Sequence, residues 1–202
     1  MTDDEATDSN GEVPQLAETR DVETVYQPAA DSKLLADAVV EAVDPGQRLL
    51  DVGTGSGYVA TRLRAEAGVA AVGIDLNPEA CEQAAAAGVP VVRGDLFGPF
   101  RDDAFDVVVC NPPYLPTPPE REWDDWMERA LSGGEDGRAV VDPFLDGVGR
   151  VLAEGGEAYL LISTLTGPEE VREFGRERGL DSEIVAEESH PFEKLLVVQF
   201  RR

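Results

Sequence analysis

The sequence has few of the residues that bind metals or form disulfides. Its 202 residues include two cysteines, Cys81 and Cys110, and one histidine, His190. Two thiols and one imidazole cannot supply a four-ligand zinc site, and they indicate no disulfide framework. No apolar run approaches the roughly 18 residues that span a bilayer, and the acidic residues 1–5 are unlike a signal peptide. We therefore expect a cytoplasmic protein without a membrane attachment.

Basic side chains are also scarce. Lysines and arginines number 17 against 41 acidic residues, which gives a formal net charge of −24, and only Lys33 and Lys194 are lysines. This balance excludes a nucleic-acid module of the usual basic kind and an electrostatic membrane anchor. Acidic residues spread over the whole chain are typical of adaptation to high salt, where the Debye length falls to about 3 Å at 1 M. The charge is therefore a weak guide to the partner.

Short apolar segments alternate with helical patterns along most of the chain. Residues 1–20 are acidic without periodicity, and they predict a disordered tail before a single domain over residues 21–202. The alternation predicts an α/β fold with an open, seven-stranded, mostly parallel sheet, an antiparallel last strand and helices on both faces. Ligands of such sheets bind outside the carboxyl ends of the strands. The expected strands are 48–52, 69–75, 89–92, 105–110, 157–163, 182–187 and 195–200, and the expected helices begin at residues 31, 58, 78, 140 and 168.

A glycine-rich turn follows the first strand. Its sequence is Asp51-Val52-Gly53-Thr54-Gly55-Ser56-Gly57, in which Gly53 and Gly55 allow close approach of the backbone to a ligand. An ordinary strand–helix turn would explain this segment when it is taken alone. The second strand ends in Asp75, whose carboxylate can accept two hydrogen bonds from a ribose diol. A nicotinamide cofactor and S-adenosylmethionine both carry such a ribose, so both remain open at this point.

The third strand is followed by another acid. Asp95 can accept a hydrogen bond from an adenine amino group, and Leu76 and Leu96 could hold the adenine ring between them. A helix cap or a turn would also explain Asp95. The three residues extend the predicted cofactor site along the same edge of the sheet.

The motif Asn111-Pro112-Pro113-Tyr114 follows the fourth strand. Taken in order with the acidic glycine-rich turn, Asp75 and Asp95, it resembles the class I S-adenosylmethionine-dependent methyltransferases that methylate planar nitrogens. These enzymes act on adenine amino groups and on glutamine side-chain amides. The resemblance implies a Rossmann-like methyltransferase domain that converts S-adenosyl-L-methionine to S-adenosyl-L-homocysteine.

The residue types of this motif suit a nitrogen whose lone pair is delocalised. The side-chain oxygen of Asn111 and the backbone carbonyl of Pro112 can each accept one N–H of the substrate –NH₂, which orients the nitrogen and favours the charge that develops on it. Pro112 and Pro113 fix φ and stiffen the loop, and Tyr114 offers a flat face for an amide or a base. A strong general base is not required, since methyl transfer makes the nitrogen acidic.

Two further segments narrow the resemblance. Residues 25–32, Val-Tyr-Gln-Pro-Ala-Ala-Asp-Ser, and residues 133–138, Gly-Gly-Glu-Asp-Gly-Arg, resemble segments of the HemK-like protein glutamine methyltransferases, in their archaeal and eukaryotic branch. Three positions of the first segment differ from that branch, although Ser32 keeps a hydroxyl where the branch has threonine. The resemblance adds Tyr26 and Ser32 to the expected cofactor-binding residues.

The resemblance also implies a substrate and a partner. Enzymes of this branch methylate N5 of the glutamine in the Gly-Gly-Gln motif of the class-1 translation termination factor, together with a small zinc-binding activator protein. Such a partner suits strand addition to a sheet edge, and Val89-Pro90-Val91-Val92 is short, uncharged and typical of an edge strand because of its proline. The same residues could instead pack on the neighbouring helix, so both interpretations remain open.

Two other functions compete with this one. An adenine-amino-group methyltransferase acting on RNA or DNA would use the same Asn-Pro-Pro-Tyr chemistry, but the sequence has no basic groove and no target-recognition domain. A non-catalytic cofactor-binding protein is disfavoured because Asp51, Asp75, Asp95 and Asn111 are all present.

Overall fold

The computed structural model describes Val25, residues 30–117 and residues 130–202. The expected tail over residues 1–20 and the expected cofactor residue Tyr26 lie outside these described residues. The helices are α1 Ala30–Val40, α2 Tyr58–Glu66, α3 Pro78–Ala86, α4 Val141–Val151 and α5 Pro168–Arg176, and a 3-10 helix covers Thr164–Thr166. The strands are β1 Arg48–Val52, β2 Ala70–Asp75, β3 Val91–Arg93, β4 Phe105–Cys110, β5 Leu152–Ser163, β6 Asp181–Ser189 and β7 Lys194–Arg201.

The seven strands form one sheet in the order β3-β2-β1-β4-β5-β7-β6. Strands β1 to β5 are parallel to one another, whereas β7 is antiparallel to both β5 and β6. The predicted sheet, including its antiparallel last strand, is therefore confirmed. β1 lies between β2 and β4, so the carboxyl ends of these three strands meet at the same edge.

Helices cover both faces of the sheet, and alternate strand residues pack on each. Val107 and Val109 of β4 join the cluster under α1, α2 and α3, whereas Val108 and Cys110 join the cluster under α4 and α5. A strand buried on both faces needs a continuous apolar run, which explains the Val-Val-Val sequence of β4. Within the described part of the chain, no helix is both long and apolar enough to cross a membrane.

The starts of β3 and β5 differ from the prediction by more than one residue, for local reasons. β3 begins at Val91 rather than at residue 89, because Val89 turns into the core and Pro90 has no N–H to give to a ladder. β5 begins at Leu152 rather than at residue 157. Its pairing with β4 shifts register within this stretch, and the chain there includes Gly155 and Gly156, which in the sequence resemble a turn before the strand.

Candidate active site

A pocket of about 240 Å³ lies outside the carboxyl ends of β1 to β4. It is bordered by the turns that follow these strands and by the start of α1. All of the predicted site residues except Tyr26 and Tyr114 line it, namely Ser32, Asp51, Gly53, Gly55, Asp75, Leu76, Asp95, Leu96, Asn111, Pro112 and Pro113. The structure therefore brings together in one cavity residues as far apart in the chain as Ser32 and Pro113.

Asp51 is buried at the base of the pocket and organises the glycine-rich turn. The Thr54 hydroxyl donates to Asp51 Oδ2 over 2.8 Å, and the Ala60 backbone N–H donates to the same oxygen over 3.1 Å. Ala60 lies in the first turn of α2, where backbone N–H groups have no partner within the helix. Asp51 thus joins the turn to the start of α2, a role that the sequence analysis did not assign to it.

Asp75 holds the same turn from the neighbouring strand. Its Oδ2 accepts a hydrogen bond from the Gly55 backbone N–H over 2.9 Å, and its Oδ1 accepts one from the Asn77 N–H over 2.9 Å. The backbone of Gly53 and Gly55 has φ of 68° and 54°. This left-handed conformation favours glycine and explains why both turn positions lack a side chain. The Asp75 carboxylate still lines the pocket, where it can accept further hydrogen bonds.

The charge in this pocket is negative and poorly solvated. Burial raises the pKa of the Asp51 carboxyl to about 7, although hydrogen bonds from Thr54 and Ala60 act against the shift. Burial also raises the pKa of Asp75, and the charge of Asp75 contributes to the shift of Asp51. A positively charged ligand would stabilise both ionised carboxylates. The pocket is therefore suited to a cation with an apolar body.

The part of the pocket beside β3 has apolar side chains open to solvent. Leu76, which follows β2, is 48% exposed. Leu96, which follows β3, has a backbone φ of 43°. Left-handed φ is unfavourable for leucine, and such strain is concentrated at functional sites. Asp95 is exposed next to Leu96. These features fit the predicted binding of a flat ring.

Asn111 is oriented by a hydrogen bond to α1. Its Nδ2 donates to the Ser32 hydroxyl over 3.2 Å, which leaves Oδ1 turned the other way. This Oδ1 is buried and has no hydrogen-bond partner among the described residues. A buried amide oxygen without a partner is unfavourable by about 1–3 kcal/mol, so it marks a place where a ligand N–H is expected. Ser32 therefore contacts the reaction motif and also lines the pocket, and its contact with the cofactor stays a prediction.

Tyr114 does not line the pocket. Its side chain is partly buried against the cluster under α1 to α3. The loop over residues 133–138 packs on its backbone so closely that a Cβ on Gly137 would lie 2.5 Å from the Tyr114 carbonyl oxygen. Backbone hydrogen bonds from Leu115 to Leu131, from Gly133 to Leu115 and from Thr117 to Gly134 fasten the same loop. The flat face that we predicted for Tyr114 stays a prediction.

Sequence reasoning missed three residues that shape the site. Thr54 and Asn77 hold Asp51 and Asp75, and Val140 lines the pocket from just before α4. Asn77 also caps α3 by accepting from the Glu79 N–H, and the Asn-Pro start of that helix could have indicated this. Nothing in the local sequence marks Val140, because only the fold brings it to the pocket.

Comparisons with known proteins find one matching family model and several similar proteins and structures. A family model described as methionine biosynthesis protein MetW matches residues 34–117. A Methanocaldococcus jannaschii protein, named provisionally as a protein N5-glutamine methyltransferase, is 33% identical over 180 residues and aligns with 86% of this chain and 90% of its own length. The human methyltransferase HEMK2 is 34% identical over 192 residues, which are 88% of this chain and 90% of that protein. The solved Mtq2–Trm112 complex of E. cuniculi, described as responsible for methylation of the eRF1 translation termination factor, has 31% identity and a TM-score of 0.74, covering 89% of this chain and 99% of that one.

Asp51→Asn should stabilise the fold in a pH-dependent way. The pKa of Asp51 is about 7 in the folded state and near 4 in the unfolded state. Between these values the carboxyl ionises in the unfolded chain first, which lowers the free energy of unfolding of the wild type. This loss of stability is absent below about pH 4, grows up to about pH 7 and is then constant, at about 1.4 kcal/mol per pKa unit. Asparagine keeps an oxygen for Thr54 and Ala60 and does not ionise. Denaturant unfolding without ligand should show an advantage for the variant that increases from pH 4 to pH 7. An advantage independent of pH would contradict this assignment.

Proposed function

The chain belongs to the HemK-like family of protein glutamine methyltransferases, and on this premise we propose that it methylates N5 of the glutamine in the Gly-Gly-Gln motif of the class-1 translation termination factor. S-adenosyl-L-methionine is the methyl donor in this proposal, and a small zinc-binding activator is its partner. The observation that carries the proposal is the buried, unpartnered Oδ1 of Asn111 at the pocket. An amide –NH₂ group is a ligand that this oxygen can accept from.

The residues of the pocket fit the proposed donor. S-adenosylmethionine combines a cationic sulfonium and ammonium with a ribose diol and a flat adenine ring. Asp51 and Asp75 supply the desolvated negative charge, and Asp75 is also free to accept from the diol. Leu76, Leu96 and Asp95 would hold the adenine. When bound, the donor supplies an electrophilic methyl group on sulfur.

Asn111 and Pro112 act on the substrate nitrogen. Oδ1 of Asn111 and the carbonyl oxygen of Pro112 each accept one N–H of the glutamine amide, which fixes the direction of the nitrogen lone pair. As charge develops on the nitrogen, both oxygens bind its protons more strongly, so they stabilise the transition state more than the ground state. Neither oxygen is a strong base, and the proton that the nitrogen loses goes to water.

The substrate is supported by the relatives and by the shape of the site. The E. cuniculi complex is described as acting on a translation termination factor, and the M. jannaschii relative is named for glutamine N5. The two glycines that precede the glutamine add no side-chain bulk, so the backbone before it can enter a narrow slot. Pro112 and Pro113 stiffen one wall of the pocket, which keeps the acceptors in place before the substrate arrives.

The activator is proposed to add a strand to β3. Within the described residues β3 is the last strand at its end of the sheet. Gly73 N–H donates to the Pro90 carbonyl over 2.8 Å and Gly94 N–H donates to the Asp75 carbonyl over 3.0 Å. Because backbone groups alternate in direction along a strand, those of Val92 face β2, whereas those of Val91 and Arg93 face outward. Outward N–H and C=O groups are what an added strand pairs with.

Asp75→Ala should weaken binding of S-adenosylmethionine. The variant loses the proposed diol contacts, and lost hydrogen bonds to a charged group are worth about 1–3 kcal/mol, or roughly 5- to 150-fold in Kd. Asp102→Ala, which removes an exposed carboxylate before β4 that pairs with Arg150, serves as the control. Calorimetric titration should show the loss for Asp75 alone. Equal affinities in wild type and Asp75→Ala would refute the role.

Asn111→Ala should abolish methyl transfer and leave binding of S-adenosylmethionine intact. Removal of one preorganised group that stabilises developing charge lowers kcat by about 100-fold or more. The measurement is transfer of labelled methyl to the intact termination factor with the activator present, beside a titration of the donor. A variant that keeps the wild-type kcat would contradict the proposed role of Asn111.

Ser32 offers a graded companion to that test. Ser32→Ala removes the acceptor that orients Asn111 Nδ2 without touching Oδ1. Its kcat should fall by less than that of Asn111→Ala, and Ser32→Thr should restore it. A fold defect would instead lower the unfolding temperature of both Ser32 variants.

Amide exchange should locate the activator. In the free chain the Val92 amide is protected by β2, whereas the Val91 and Arg93 amides exchange rapidly because they face outward. Addition of the activator should slow Val91 and Arg93 and leave Val92 as it was, by residue-resolved hydrogen exchange. A stable complex in which Val91 and Arg93 exchange as before would place the activator elsewhere.

A further inference from the structure

Phe192 differs from every other phenylalanine of the chain. All seven phenylalanines lie in the described residues, and six are buried or partly buried, namely Phe97, Phe100, Phe105, Phe144, Phe174 and Phe200. The side chain of Phe192 is 95% exposed. Single exposed apolar residues are common, but a whole aromatic ring in water is the kind of residue that anchors protein interfaces.

Phe192 lies at the same edge of the sheet as the pocket. It belongs to the short connection between β6 and β7, next to the paired residues Ser189 and Lys194. Leu195 of β7 pairs with Ser163 at the carboxyl end of β5, whereas β4 ends beside Leu160. Three residues at about 3.3 Å each place the start of the connection about 10 Å beyond the end of β4. Two strand spacings place it about 10 Å to the side of β4.

The connection is held in place rather than loose. His190 N–H donates to the Glu193 carbonyl over 2.8 Å, and Lys194 N–H donates to the Thr164 hydroxyl over 3.0 Å. The Ser163 hydroxyl donates to the Glu193 carboxylate. These bonds join the connection to the 3-10 helix, whose Leu165 is itself 49% exposed. Phe192 and Leu165 thus lie on two segments that these hydrogen bonds join at the carboxyl edge of the sheet, and we call this region the rim.

The rim is acidic around these apolar side chains. Glu187 and Glu188 precede the connection and Glu193 ends it. The one lysine of this stretch, Lys194, already pairs with Glu187 over 3.3 Å. A partner that covers Phe192 therefore meets an apolar knob with negative charge at its border. The complementary surface is an apolar hollow bordered by basic side chains.

We propose that this rim, formed by Phe192 and Leu165, docks the body of the protein substrate while the glutamine loop of that substrate reaches Asn111. The proposal depends on the proposed function, since it needs a protein substrate. A standard interface covers about 800 Å² per partner, a patch of roughly 16 Å radius. A patch of that size centred on Asn111, which directly follows β4, includes the start of the connection that carries Phe192. The occupant is therefore the substrate domain that carries the glutamine loop, with basic groups facing Glu187, Glu188 and Glu193.

The test is steady-state methylation of the intact substrate by the enzyme with its activator. Phe192→Ala and Phe192→Asp should raise KM for the protein substrate about tenfold or more, as loss of an aromatic anchor does. The kcat value and the Kd for S-adenosylmethionine should not change, because neither depends on the rim. The exposed ring supports no part of the core, so both variants fold. Val185→Ala, which truncates a 41% exposed residue farther down β6, is the matched control and should leave KM unchanged.

Each other outcome overturns the proposal in a recognisable way. Wild-type KM in both Phe192 variants, with methylation intact, refutes the docking role and leaves the proposed function standing. Weaker assembly with the activator, or a changed oligomeric state, would assign the ring to the activator or to a second copy of the chain. If the wild-type enzyme methylates no protein substrate, the proposed function fails and the docking role fails with it.

Discussion

Parallel pairing of β1 with β2 on one side and with β4 on the other is the constraint on which the site depends. It sets Asp51 opposite Gly73 and Val109, so the turns that follow the three strands open at one edge. A carboxylate from β1, a carboxylate from β2 and the amide motif after β4 then converge without any local signal between them. Burial of Asp51 is the consequence, since the central strand has neighbours on both sides. The same burial raises the pKa of Asp51, a shift that a bound cation would oppose.

The sequence predicted the sheet and most of the pocket because strongly apolar strands and glycine turns are local signals. Asp75, Asp95 and Asn111 each follow such a strand, so the rule that ligands lie at carboxyl ends was sufficient to group them. The orientation of Asn111 was not predictable, because it depends on Ser32, which comes from a helix 79 residues earlier. The start of β3 was misplaced since Pro90 belongs to the edge of the sheet but cannot donate to it.

The two proposed protein surfaces lie at opposite ends of the sheet. β3 forms one end and β6 the other, with the pocket opening between them along the carboxyl edge. An activator on β3 would therefore leave the Phe192 rim open, and a substrate on the rim would leave β3 paired with the activator. This separation explains how one small domain could serve a permanent partner and a transient one. It also assigns a use to two of the exposed apolar side chains, those of Phe192 and Leu165.

The most direct test of the central claim is to map the methyl group itself. The enzyme would be incubated in high salt with labelled S-adenosylmethionine and the cognate class-1 termination factor, with and without the activator, and the product analysed by mass spectrometry. If the proposed function is correct, the product carries one methyl group on the glutamine of the Gly-Gly-Gln motif, formed with the activator present. Methyl transfer to adenine in total RNA or DNA, with an unmodified glutamine under both conditions, would contradict it.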